Sequence, residues 1–143
     1  MSNTRVDLAS LLLRLSVGGL MFAHGYHKIS AGFEEGVKGI KGMLAGSDMP
    51  EWLAYGVYVG ELVAPVLLVL GLFVPLAGLA VAGTMAFAVY LAHSNELWSF
   101  TAYGGHALEL QALFLVGGLA CALLGAGRFA VPSPFGKKPP TLG

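Results

Sequence analysis

Histidine, lysine and glutamate side chains of this chain recur near the ends of apolar stretches, where they could exchange protons or hold a polar ligand. His24, His27 and Lys28 lie three and four positions apart, so a helix would place them on one face. His106 and Glu109, three positions apart, would share a face in the same way. Groups of this kind can bind a metal ion, relay protons or hold a polar ring by hydrogen bonds.

Two further charges, Arg14 and Glu61, lie inside apolar segments. A charged group in hydrocarbon costs about 2.5–3.5 kcal/mol on insertion scales, so each needs a partner, a water-filled cavity or a function. At a rise of about 1.5 Å per residue, their depths differ by less than the reach of an arginine. One interpretation is therefore a buried Arg14–Glu61 ion pair that fixes the first helix against the second and adds specificity more reliably than stability.

The elements that must position these residues are membrane helices. Of the 143 residues, 56% are hydrophobic and only 11% are charged, which is too little polar surface for a water-soluble domain. A spanning helix needs about 20 mostly apolar residues, and four windows meet that need, at about 7–28, 52–72, 75–94 and 106–126. The sequence therefore predicts an all-α, integral membrane four-helix bundle, with one transmembrane domain over residues 1–128 and a flexible cytoplasmic tail over 129–143.

The connections refine this bundle. The first, at 29–51, is glycine-rich and weakly amphipathic, and it could form a short helix on the membrane surface. The second is so short, running from Gly71 to Pro75, that helices two and three must form a tight hairpin. Small residues four apart predict close helix packing, which also permits a homo-oligomer; they are Gly78/Ala82/Ala86, Gly117/Cys121 and Gly118/Ala122. We expect Cys121 to be a buried structural thiol.

The positive charges predict an orientation. Positively charged loops stay in the cytoplasm, and Arg5, Arg128, Lys137 and Lys138 all fall on one side of the predicted topology. Both termini are therefore expected in the cytoplasm, in a multi-pass protein of the inner (plasma) membrane. Aromatic residues crowd the opposite, outer end, as expected for an interfacial belt; they are Tyr26, Trp52, Tyr55, Tyr58, Tyr90, Trp98 and Tyr103.

This topology brings four ionisable residues from four helices toward one cavity near the outer leaflet, with Arg14 steadying Glu61; they are His24, Glu61, His93 and Glu109. Secondary candidates are His27, Lys28, His106 and Tyr90, of which the first three could instead extend to the headgroups. A metal site of His24, His93 and Glu109 is an alternative, but bundle metal sites use several Glu-x-x-His repeats and only one, in reverse order, is present.

An aromatic-lined pocket of this kind suits a planar, hydrogen-bonding, lipid-soluble molecule such as a quinone. The glycine-rich stretches lack the strand–turn–helix context for phosphate binding, and nothing in the sequence indicates an intrinsic flavin, haem or nucleotide site. The formal net charge of zero, without a long basic run, excludes nucleic-acid binding. Any redox centre must come from a substrate or a partner.

The ordered features resemble the DoxX family of small bacterial and archaeal membrane proteins. The resemblance covers about residues 7–128 and rests on Leu11-Leu12-Leu13-Arg14-Leu15, Phe22-Ala23-His24-Gly25 with Lys28, Glu61 before Leu70-Gly71-Leu72-Phe73, His93, and Glu109 leading to Leu124-Gly125-Ala126-Gly127-Arg128. Val74-Pro75 departs from the pattern where a basic residue often stands, and Ala126 where Pro often stands. Neither departure touches the polar residues.

The resemblance implies a four-helix membrane fold and a role in redox physiology. One branch of the family is associated with a thiosulfate:quinone oxidoreductase, and others with thiol or oxidative stress and with detoxification of quinone-like compounds. We therefore expect a redox-linked membrane protein, or the membrane subunit of a quinone-linked oxidoreductase, that binds a quinone or similar ring. The alternatives are a non-catalytic anchor or scaffold for soluble redox enzymes, contacting them through the 29–51 loop or the Lys137–Lys138 tail, and a small transporter.

Overall fold

The computed structural model describes residues 3–132, which form five helices and no strand apart from one isolated bridge between Phe100 and His106. The helices are α1 (Thr4–Ser30), α2 (Glu35–Ala45), α3 (Glu51–Leu70), α4 (Val74–Ala92) and α5 (Glu109–Leu124). The all-helical class is confirmed, and each predicted window overlaps one helix. The Lys137–Lys138 tail lies outside the described residues.

The surface of the helices matches a lipid environment. Helices α1, α3 and α4 are long and apolar enough to cross a membrane, whereas α5 is apolar but has only 16 residues. Large aliphatic side chains are exposed along the outside of the bundle, among them Leu20, Leu76, Leu113 and Leu123. So much contiguous apolar surface is unfavourable in water, and the helices therefore indicate a multi-pass protein in contact with a lipid bilayer.

Small residues let α4 and α5 approach closely, as the four-residue spacing predicts. Gly78 and Gly118 face each other, and a Cβ on either would overlap the backbone of the other helix. Cys121, one turn along α5, is fully buried in the core, as expected. Ala86 is exposed and takes no part in this contact.

The α3–α4 connection is the tight hairpin that the sequence predicts. Gly71 adopts a left-handed conformation with φ 76°, and its N–H donates to the Leu68 carbonyl at 3.1 Å. The Leu72 N–H donates to the Leu67 carbonyl at 2.9 Å, which completes a Schellman motif. The left-handed Gly71 therefore ends α3 and lets α4 start at Val74.

Helix α3 changes its winding along its length. It starts as a 3₁₀ turn at Glu51–Tyr55 and contains a π-helical turn at Val59–Val63, where the Ala64 N–H bonds to the Val59 carbonyl. Pro65 explains the π turn, because proline has no N–H and in an α-helix its ring would clash with the carbonyl four residues back, that of Glu61. Single π turns inside helices are frequent at functional sites, and this one carries Glu61.

The amphipathic connection contains the helix α2. Its residues Val37 and Leu44 are fully buried and pack with Ala54 and Tyr58 in a second hydrophobic cluster. Because Ala54 and Tyr58 belong to α3, the apolar face of α2 lies against the start of α3. Helix α2 is therefore packed into the protein along α3.

Candidate functional site

A partly buried ion pair joins α1 to α3. Lys28 Nζ lies 2.6 Å and 2.7 Å from the two carboxylate oxygens of Glu61, so the contact is bidentate. The Glu61 side chain is only 3% exposed and that of Lys28 is 30% exposed. The predicted Arg14–Glu61 ion pair was therefore wrong, and the partner of Glu61 is Lys28, a residue that the sequence placed among the secondary candidates.

Gly25 explains how this pair forms. A Cβ at Gly25 would overlap the Glu61 backbone, so α1 can approach the π turn only because this position is glycine. Lys28 follows three residues later on the same face of α1, and its long side chain reaches the Glu61 carboxylate.

Arg14 has a different role. Its side chain is fully buried, and its guanidinium donates to the Leu68 carbonyl at 3.2 Å and to the Phe129 carbonyl at 2.6 Å. The last carbonyls of a helix lack intrahelical partners, and a cation is favourable at that end. Arg14 therefore ties α1 to the end of α3 and to the segment after α5.

Two cavities meet at the Lys28–Glu61 pair, since Lys28, Glu61, Ala88 and His93 line both of them. The larger, which we call the groove, has a volume of about 700 Å³ and lies between α2, α3 and α4. Its walls are mainly apolar; they include Ile40, Met43, Leu53, Val57, Phe87 and Leu91. The smaller, the inner cavity, has about 170 Å³ and lies between α1, α3, α4 and α5. Its other lining residues are Met21, His24, Met85, Leu110, Gln111 and Phe114.

Glycine residues, which have no side chain, leave much of the groove open. Gly39 on α2, Gly56 on α3 and Gly83 on α4 all line it, and no atom lies within 4 Å of where a Cβ would stand at any of them. Side chains at these positions would project into free space, so the three glycines keep the groove accessible.

Of the four pocket residues expected from the sequence, the structure brings three together. His24, Glu61 and His93 line the inner cavity, although His24 is largely exposed on its other sides. Glu109, the first residue of α5, is exposed and lines neither cavity. Gln111 also lines the inner cavity. The sequence does not mark it as a pocket residue, because its amide carries no charge.

The remaining histidines and Tyr90 lie elsewhere. His106 accepts a hydrogen bond from the Leu108 N–H at 3.0 Å through Nδ1, so its Nε2 carries the proton and donates to the Leu97 carbonyl at 2.9 Å. His27 and Tyr90 are exposed and line neither cavity. Over residues 3–132, no three His, Cys, Asp or Glu side chains group closely enough to hold a metal ion, so the alternative site of His24, His93 and Glu109 is not assembled.

A polar cluster fastens α2 to α3 beside the groove. Lys41 donates to Glu34 at 2.6 Å, and the Tyr55 hydroxyl donates to the other oxygen of Glu34 at 2.7 Å. The hydrogen bond from Lys41, followed by that from Tyr55, lowers the pKa of Glu34. The bond to Glu34, followed by a bond to the Tyr55 hydroxyl, raises the pKa of Lys41. Both shifts favour the charged forms, so Glu34 and Lys41 stay ionised at neutral pH. The cluster therefore holds two walls of the groove, α2 and α3, together at this pH.

Comparison with known proteins places this geometry in a family context. A family model described as DoxX matches residues 9–94, which is more than half of the chain and includes Arg14, Lys28, Glu61 and His93. No curated protein and no solved structure gives a significant match.

Proposed function

The chain belongs to the DoxX family, and from that premise and the geometry of the groove we propose that it is an inner-membrane protein that binds a quinone or a similar lipophilic carbonyl-bearing ring. The observation that carries the proposal is the bidentate Lys28–Glu61 pair in a groove whose other walls are mainly apolar. The ring would lie with its oxygen at this pair and its apolar part along the groove.

The charges of the pair favour a neutral ligand. The ammonium of Lys28 and the carboxylate of Glu61 cancel, so neither an anion nor a cation gains a net attraction. A lysine ammonium has three N–H donors, of which Glu61 takes two. The third can donate to a ring carbonyl, and Glu61 can accept from a ring hydroxyl.

The dimensions of the groove suit such a ring. Its volume of about 700 Å³ falls inside the range of roughly 300–1,000 Å³ that is typical of small-molecule sites, which are mostly apolar with a few polar groups. Val59 and Met43 line the groove and are 54% and 38% exposed, so the groove is open at the surface of the helices. A ligand dissolved in the bilayer could therefore enter sideways, without crossing water.

Contacts between the two ends of the described chain support a topology with four crossings. The Ser10 hydroxyl donates to the Gly125 carbonyl at 2.7 Å, and the Arg128 N–H donates to Asp7 at 3.3 Å. The start of α1 and the segment after α5 therefore lie at the same end of the bundle, as an even number of crossings requires. Positive charge at this end favours the cytoplasmic side, which puts the Lys28–Glu61 pair toward the outer leaflet.

Filling the groove tests the proposal. We expect Gly39→Leu to lower the affinity for decylubiquinone at least tenfold, because a Cβ fits at this position without a clash and the leucine side chain would take up space in the groove. Gly42→Leu is the matched control, since Gly42 lies on the same helix with equally free space but does not line the groove. Both substitutions raise helix propensity by about 1 kcal/mol, so they differ only in where the side chain points.

The measurement is quenching of tryptophan emission during titration of the detergent-solubilised protein with the quinone. Circular dichroism of both variants checks that the helices are intact. Equal affinities for Gly39→Leu, Gly42→Leu and the unsubstituted protein would refute the groove as the ring site.

A further inference from the structure

We propose that the inner cavity is a water-filled vestibule through which protons pass between the Lys28–Glu61 pair and the aqueous phase at the loop end of the bundle. This inference rests on the proposed function, because the vestibule serves a ring bound in the groove at the same pair. The two cavities share Lys28, Glu61, Ala88 and His93, so a mainly apolar chamber and a more polar one meet at the ion pair.

The inner cavity has the size and the polar groups that water needs. Each water in a hydrated cavity takes about 30 Å³ and needs two to four polar partners. The volume of about 170 Å³ therefore has room for about five waters. Polar side chains line it on three sides: His24 from α1, Gln111 from α5, and His93 at the end of α4.

The cavity also lies close to the aqueous boundary. Gln111 is in the first turn of α5, which starts at Glu109, and His93 directly follows the last residue of α4. His24 lines the cavity and is exposed as well. The polar walls therefore extend from the ion pair to the loops at the outer end of the bundle, whereas the groove is lined mainly by apolar groups.

The proton steps accompany electron transfer between the ring and a redox partner. As an electron acceptor oxidises a hydroquinone in the groove, a ring hydroxyl gives its proton to the Glu61 carboxylate, and as an electron donor reduces a quinone there, the Lys28 ammonium gives one to a ring oxygen. Water in the vestibule then removes the proton from Glu61, or returns one to Lys28, and so restores the ionised pair. His24 and His93 can assist, because an imidazole nitrogen can donate or accept a proton.

Labelling of single cysteines tests the vestibule. The parent is Cys121→Ala, which removes the one cysteine of the chain. Gln111→Cys places a thiol in the inner cavity, and Ala88→Cys places one in the shared wall. Leu113→Cys is the control, since Leu113 lies on the same helix as Gln111 and is 70% exposed, but outside both cavities toward lipid. A charged methanethiosulfonate reagent is supplied on both faces of liposomes, and labelling after denaturation in SDS gives the total thiol.

We expect Gln111→Cys and Ala88→Cys to react at least tenfold faster than Leu113→Cys, because a charged reagent enters water but not hydrocarbon. Decylubiquinone, whose fully substituted ring does not alkylate thiols, should slow the labelling of Ala88→Cys and leave that of Gln111→Cys unchanged. Labelling of Gln111→Cys or Ala88→Cys as slow as that of Leu113→Cys would overturn the vestibule. Fast labelling at both positions without protection by the quinone would instead uphold the hydrated cavity and refute the ring site.

Discussion

The Lys28–Glu61 pair gives a prediction that can be worked out from its geometry. At the 2.6 Å separation of Nζ and Oε1, an effective dielectric constant of about 20 gives an attraction of about 6 kcal/mol. Desolvation of the two ions offsets part of this attraction, and removal of one partner from a buried pair typically costs about 3–5 kcal/mol. Lys28 is 30% exposed, so solvent screening places the expected cost of Lys28→Met near the lower end, at about 3 kcal/mol.

A double-mutant cycle isolates the interaction. Glu61→Gln should cost less than Lys28→Met, about 1.5 kcal/mol, because the freed ammonium can turn toward water whereas a freed Glu61 carboxylate stays buried. The double variant should cost only about 2 kcal/mol, which leaves a coupling energy of about 2.5 kcal/mol. The free energy of unfolding is measured by circular dichroism in detergent with a chemical denaturant.

The chain contains its own control. Lys38 and Glu35 are the same residue types at 3.3 Å, but their side chains are 73% and 63% exposed, and a cycle on this pair should give a coupling below about 1 kcal/mol. A coupling energy at Lys28–Glu61 no larger than that at Lys38–Glu35 would contradict the expected stabilisation by the partly buried pair.

Three further outcomes are expected from single features of the fold. Gly25→Ala should destabilise the protein by about 1–3 kcal/mol, because the new Cβ would overlap the backbone of α3. Gly19→Ala, on the same helix as Gly25, has free space and should be neutral or stabilising. Unfolding in detergent compares the two variants, and equal effects would contradict the close approach of α1 and α3. Arg14→Met removes the guanidinium donor from the Leu68 and Phe129 carbonyls and should cost about 2–4 kcal/mol, with Arg14→Lys intermediate. No loss of thermal stability would contradict the role of Arg14 in tying these segments together. In the folded protein the pKa of Glu34 is below its ordinary value of 4.5. The stabilising contribution of Glu34 is therefore present above that pH and is lost as the pH falls through the lowered pKa. Thermal unfolding from pH 7 to pH 3 should show this loss of stability, and Glu34→Gln should abolish it.

The helices were predictable because the signal for them is local. A run of about 20 apolar residues identifies a membrane helix without knowledge of its neighbours. The tight turn at Gly71 and the close packing of the small residues around Gly78 and Gly118 were predictable for the same reason, although the sequence did not say which helices meet there.

The partner of Glu61 was not predictable in this way. The sequence window ended α1 at residue 28, which placed Lys28 at the headgroups, but the helix continues to Ser30 and keeps Lys28 beside the bundle. The π turn at Val59–Val63 also changes the direction in which Glu61 points, and a regular helix does not include this rotation. Depth alone therefore favoured Arg14 as the ion-pair partner of Glu61. The rotation of the two helices about their axes instead brings Lys28 to Glu61.

The position of Glu109 was predicted wrongly because the boundary of its helix also differs from the predicted one. The predicted fourth window began at 106, which put Glu109 one turn inside the helix, but α5 begins at Glu109 and leaves it exposed at the end. The groove could not be predicted at all, since Gly39, Gly56 and Gly83 belong to three helices and enclose free space only once those helices are packed. Sequence periodicity carries no information on such a space.

The shortness of α5 has a consequence for the surrounding membrane. Its 16 residues span about 24 Å at 1.5 Å per residue, against about 30 Å of hydrocarbon in a typical bilayer. In the four-crossing arrangement proposed above, the lipids beside α5 must compress by several ångströms, while those beside the 27-residue α1 need not. We expect the protein to create a lopsided annulus of thinned bilayer and to prefer short-chain lipids along that one flank.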